Sequence, residues 1–171
     1  MTLTPLLTAP LDIQIHVGFA LCALVSGPLA LFRRSRDGLH KVMGGLWVFA
    51  MAGTAISAFF ISTMPMIGPF SVIHLLPVLT LWTLGLALRA ALRGEWRRHG
   101  LLFRRLYVQA IGIAGLFTLL PGRIMNDVVF PNAPVAGFAV AAAIAALIYA
   151  VSQTARGKTL RKALSKSRAR P

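Results

Sequence analysis

Acidic side chains are scarce in this chain: Asp12, Asp37, Glu95 and Asp127 are the only four among 171 residues. All four fall near the ends of apolar runs, so the buried carboxylates that a carboxylate-driven pump or protease requires are poorly supported. Cysteine is scarcer still. Cys22 stands alone in the middle of an apolar run, which excludes an intramolecular disulfide and favours packing over thiol chemistry, since a thiolate is costly in hydrocarbon. Charged residues make up 13% of the chain and hydrophobic ones 57%, too little polar surface to cover a soluble globule. Also missing are a Walker loop, a dinucleotide fingerprint, a His-Glu-x-x-His motif and a Ser-His-Asp set placed within a membrane.

What is present is long apolar runs and cations. Five runs are long enough to span the ~30 Å of a bilayer core, at about 11–32, 42–63, 70–92, 106–121 and 135–153. Of 18 Lys and Arg residues, 17 lie in two connectors and the C-terminal tail. The first connector has Arg33, Arg34, Arg36 and Lys41; the second has Arg89, Arg93, Arg97, Arg98, Arg104 and Arg105. The tail carries the remaining seven, and Arg123 alone lies on the other side. Basic segments stay in the cytoplasm, so the N-terminus is expected outside and the C-terminus inside an inner membrane. The same placement argues against nucleic acid as the partner of a +14 chain and for anionic lipid headgroups.

The expected fold is all-α and polytopic, with about five transmembrane helices. Residues 1–10 read as a short extracytoplasmic lead without the pattern of a cleaved signal, 11–154 as one helical domain, and 155–171 as a basic cytoplasmic tail. Small residues such as Ala136, Gly137, Ala141 and Ala145 suit the fifth helix to close packing. Pro65 and Pro69 stop helices in an outer turn at 64–69, and Pro77 is expected to kink the third helix. Trp47, Trp82, Trp96 and Tyr107 read as packing residues or interfacial anchors.

Laying 70–123 over 11–63 reveals a tandem repeat. Ile15-His16 matches Ile73-His74, Gly27 matches Gly85, His40 matches His99, and Leu46-Trp47 matches Leu106-Tyr107. All four histidines of the chain belong to the pattern. Both copies begin on the same side, so His16 and His74 share an outer level and His40 and His99 an inner one, at the start of the second and fourth helices. Around the four-helix core, each pair can face across the bundle.

Facing imidazoles can hold a haem iron axially, and two levels can hold one or two haems b for transmembrane electron transfer, with a redox or membrane-protein partner. Arg123 can meet propionates on the outer side. Two other readings stand beside this one. The histidines can be structural in a non-enzymatic subunit or assembly factor, or they can relay ions, protons or metal in a small carrier. Asp37 as a helix cap, Glu95 as a partner for nearby arginines, and Arg123 paired with Asp127 or Asp12 are the simpler roles for those charges.

At Ile15-His16 with Gly18, Ser26-Gly27-Pro28, Gly38-Leu39-His40 with Gly44, Gly68-Pro69-Phe70 with His74-Leu75-Leu76, His99, and Leu120-Pro121-Gly122-Arg123, the chain resembles a family of predicted bacterial membrane proteins, domain of unknown function 2306. The resemblance covers 11–123 and implies a helical membrane protein, with no established activity attached. One departure is that Gly100-Leu101 follow His99 where the family pattern leads one to expect Arg and Met. The layout is also similar to transmembrane di-haem cytochromes b, by architecture and without a shared motif.

Overall fold

The computed structural model of the chain describes residues 1–33, 35–61, 74–144 and 146. The described residues pack as two units, Leu3–Ala114 and Met1–Thr2 with the chain from Gly115 onward. Among them every regular element is helical. In the first unit a single turn, α1 (Thr4–Leu7), precedes α2 (Leu11–Leu31), α3 (Gly38–Ala58), α4 (Leu75–Leu92) and α5, which runs from Trp96 to Thr118 and passes out of the unit after Ala114. These four helices are long and apolar enough to cross a membrane; 21 residues of α2 rise roughly 31 Å at 1.5 Å each. The protein is an all-α polytopic membrane protein. Arg34, the outer turn at 64–69, the first residues of the third span, the last residues of the expected fifth span and the whole tail lie outside the described residues.

Local chemistry sets the helix limits. α2 begins after Pro10, with Asp12 in its first turn where the positive end of the helix favours an anion. α3 starts four residues before the expected 42 because the Asp37 carboxylate accepts the His40 backbone N–H at 3.1 Å. α4 ends in a Schellman turn. Gly94 takes φ +73°, the Glu95 N–H bonds the Ala90 carbonyl at 2.9 Å, and the Gly94 N–H bonds that of Ala91 at 3.0 Å. α5 begins at Trp96, ten residues ahead of the expected 106, and takes Arg97, Arg98, Arg104 and Arg105 into its first turns. That extension is stable because Arg104 is put to use: its Nε donates to the Leu31 carbonyl at 3.0 Å, at the negative end of α2. Farther along, α5 is π-helical over Ala110–Gly115, where two of six residues are glycine.

α3 packs between α2 and α4, α4 packs on α5, and α5 returns to touch α2, so the four helices close a ring with α2 opposite α4 and α3 opposite α5. Alanines mark the closest approaches: Ala30, Ala50 and Ala87 are buried, and Trp47 and Phe103 fill the centre. Large apolar side chains point outward instead, Phe49, Phe60, Trp82 and Leu92 among them. In water such a surface would aggregate; in lipid it is the expected outside.

In the second unit the chain turns at Leu120-Pro121-Gly122-Arg123, forms α6 (Ile124–Val129), and enters α7 (Pro134–Ile144), the described part of the expected fifth span. Gly122 at φ +79° after a proline, with the Arg123 N–H on the Leu120 carbonyl at 3.2 Å, follows the type II turn pattern. Asn126 is fully buried, and its Nδ2 donates to the carbonyls of Leu119 at 2.6 Å and Pro134 at 3.0 Å. A side chain on Gly137 would run into that amide, so α7 is seated here through a glycine.

Candidate functional site

Each outer histidine meets the last turn of α3. His16, five residues into α2, has Nδ1 3.0 Å from the Ser57 hydroxyl. Ser57 has one hydrogen to give and points it at the carbonyls of Gly53 and Thr54, at 2.7 and 3.1 Å. The His16 Nδ1 therefore carries the proton, which leaves the lone pair on Nε2. His74 precedes the first residue of α4, is buried, and stacks on Phe59 with ring centroids 6.2 Å apart and planes at 28°. Ser57 and Phe59 are two residues apart, so His16 from α2 and His74 from α4 flank one end of α3 at a common level. α2 and α4 are opposite each other in the ring, as the repeat requires.

The inner histidines close the hairpins. His40 Nδ1 lies 3.0 Å from the Ala30 carbonyl, and His99 Nδ1 lies 3.0 Å from that of Ala87. A carbonyl only accepts, so both rings hold their proton on Nδ1 and present an Nε2 lone pair. Ala30 is among the last four residues of α2, whose carbonyls have no helical partner; His40 satisfies it as Arg104 satisfies Leu31. His40 and His99 sit on α3 and α5, the other diagonal of the ring. The bundle beyond them is filled. His99 meets the Phe103 ring edge-on at 4.6 Å, and Phe103 meets Trp47 at 5.0 Å.

Proton placement on Nδ1 by a carbonyl or hydroxyl is how ligating imidazoles are commonly oriented, so His16, His40 and His99 have the donor chemistry an iron or other metal asks of histidine. Packing distinguishes the inner level: the Trp47–Phe103 contact fills the bundle between α3 and α5 there, whereas His16 and His74 contact Ser57 and Phe59 at the end of α3. Among the described residues no three of His, Cys, Asp and Glu converge as a metal cage.

The remaining motif residues also have definite work. Pro28 has no N–H, which frees the Leu24 carbonyl four residues earlier, and the Tyr107 hydroxyl donates to that carbonyl at 3.0 Å. The Tyr107 ring gets there because residue 27 is glycine: a Cβ would collide with it. Ser26 meanwhile returns its hydroxyl to the Cys22 carbonyl at 2.6 Å. Ser26-Gly27-Pro28 is thus a socket for Tyr107. Gly85, matched to Gly27 by the repeat, has nothing within 4 Å of such a Cβ, so the two copies part here.

The family model for predicted membrane proteins designated DUF2306 matches residues 13–153. The chain belongs to that family. No curated protein and no solved structure matches it. Within this DUF2306 chain the Pro-Gly-Arg element is the turn before α6, and it sets the Arg123 guanidinium over the Phe117 ring, 4.2 Å from the centroid. Sequence reasoning had given Arg123 a carboxylate or an anion and missed the ring. It also missed Ser57, which orients His16, and Asn126, which the apolar run Ile-Met-Asn-Asp-Val-Val signals as a buried polar residue.

The connector charges resolve as the simpler reading held. Asp37 takes Arg33 Nε at 3.1 Å as well as the His40 N–H, and Glu95 takes Arg98 at 3.1 Å. The Arg33 hydrogen bonds, followed by the His40 N–H, hold the Asp37 carboxyl well below the usual carboxylate range, and Arg33 is raised in turn.

Proposed function

We propose that this protein is a b-type haem protein of the inner membrane, its N-terminus outside and its C-terminus cytoplasmic, with His16 and His74 as the axial ligands. The observation that carries the proposal is His16, whose Nδ1 proton is committed to Ser57 while His74 flanks the same turn of α3 from the opposite helix. A haem held there would supply one-electron chemistry for transfer to or from a membrane partner. The chain's own part is to fix the His16 ring and its tautomer through Ser57, and to seat the His74 ring against Phe59. His40 and His99 are assigned first to closing the hairpins, with a second haem as the less favoured arrangement because Trp47 and Phe103 occupy that level.

A dithionite-reduced minus oxidised absorbance spectrum of the detergent-purified protein, expressed with haem supply, tests this. The expected result is a Soret shift with α and β bands, lost in His16→Ala and in His74→Ala but kept in His40→Ala. A featureless spectrum from a monodisperse, helical sample would end the cytochrome reading. The second reading then stands, that of a non-enzymatic membrane subunit. It is favoured by the carbonyl bonds of His40 and His99, which act as structural latches without any cofactor, and it expects a colourless protein that co-purifies with a partner.

A further inference from the structure

The sharpest unspent chemistry outside the histidines is at the end of the bundle where the two connectors meet. Arg36, from the first connector, lies with its guanidinium 5.8 Å from the centroid of Trp96, the first residue of α5. Arg104 ties the same two regions together through the Leu31 carbonyl. The carboxylates of this face are already used, Asp37 by Arg33 and Glu95 by Arg98. Arg36, Lys41, Arg93 and Arg97 are all exposed and have no carboxylate partner among the described residues. Beside these cations lie large exposed apolar side chains: Leu92 at 90%, Phe32 at 54% and Trp96 at 52% exposure.

Excess cation next to bare hydrocarbon is the complement of an amphiphile. An acidic protein segment would meet the charges and leave Leu92 and Phe32 uncovered, whereas a lipid covers both. Stacking on an indole also holds a guanidinium flat, with its N–H edge free for two oxygens of a phosphate. Tryptophan belongs at headgroup depth for the same reason.

We propose that Arg36 and Trp96 form a seat for the phosphate of one anionic phospholipid, whose acyl chains lie along Phe32 and Leu92. The site joins the first hairpin to the second, and it is independent of whether the histidines hold haem.

Native mass spectrometry of the full chain, released from bilayers of equal phosphatidylglycerol and phosphatidylcholine, reads the site directly. One phosphatidylglycerol should be retained in preference to phosphatidylcholine, and Arg36→Gln should lower that retention at least fivefold. Arg105→Gln removes the same charge at a different place, on α5, and should leave it within twofold. Arg36→Lys, which keeps the charge without the fork, should fall between wild type and Arg36→Gln, and it separates loss of the seat from loss of fold. Equal losses in Arg36→Gln and Arg105→Gln, or no preference for the anionic lipid, would overturn the site in favour of diffuse attraction. Displacement of the lipid by millimolar inorganic phosphate, or by an acidic peptide at similar concentration, would overturn it in favour of those ligands.

Discussion

Single residues in this protein repair what their neighbours break. Pro28 removes a backbone donor from the middle of α2, and the Tyr107 hydroxyl replaces it from α5. Tyr107→Phe should therefore cost about 1 kcal/mol in unfolding measured in detergent or bicelles, the usual net worth of such a bond. In a Pro28→Ala background, where an amide N–H is restored to Leu24, the same change should cost markedly less; equal costs in both backgrounds would refute the coupling. Asp37 invites a pH experiment. Its folded pKa is depressed by Arg33 and the His40 N–H, so its contribution is fully present above the unfolded carboxylate value near 4 and is lost as pH falls through the lower folded value. Acid unfolding should begin at higher pH when Arg33→Gln removes the main cause of that depression. Asp37→Asn should be less stable near neutrality and flatter below pH ~4. Of these pairings only the Asp37 cap was legible in the sequence, because capping is local, whereas Tyr107 and Leu24 are 83 positions apart.

At the scale of elements the two hairpins are alike in some contacts and unlike in others. Counting seven residues on from each inner histidine pairs Trp47 with Leu106, one residue off the sequence match of Trp47 to Tyr107; both are buried, and both histidines bond a carbonyl on the preceding helix. The hairpins nevertheless turn differently. The first turns on the Asp37 cap and the second on Gly94 in the left-handed region. Gly94→Ala should cost about 1–2 kcal/mol of stability, the usual penalty for an L-residue in that conformation, while Gly100→Ala, in a helix with open space around it, should be neutral or slightly stabilising in the same melt. The start of α5 escaped the sequence reading because Arg97, Arg98, Arg104 and Arg105 interrupt the apolar run. An arginine is read as a boundary until one sees what its guanidinium caps. Helix existence follows from composition; helix limits follow from contacts that composition does not contain.

At the scale of the whole molecule, hydropathy made the class plain and charge made the orientation a prediction. The arrangement is inside-out relative to a soluble fold: alanines at the helix crossings, large apolar groups on the surface, and cations gathered where the connectors meet. Orientation can be read with cysteines, because the chain has only Cys22 to remove first. In a Cys22→Ala background, Ser35→Cys tests the first connector and Asn132→Cys tests the segment between α6 and α7; both positions are exposed. Three helices long and apolar enough to span, α3, α4 and α5, separate them in the chain, so the two should label from opposite sides. A membrane-impermeant maleimide applied to intact spheroplasts should modify residue 132 and leave residue 35 until the membrane is opened, since translocating Arg33, Arg36 and Lys41 is opposed while Arg123 alone is not. The reverse pattern would invert the protein and place the outer histidine level at the cytoplasmic face. Labelling of both positions from one side would mean that one of the three helices does not cross, and the arginine-rich α5 would be the first to examine.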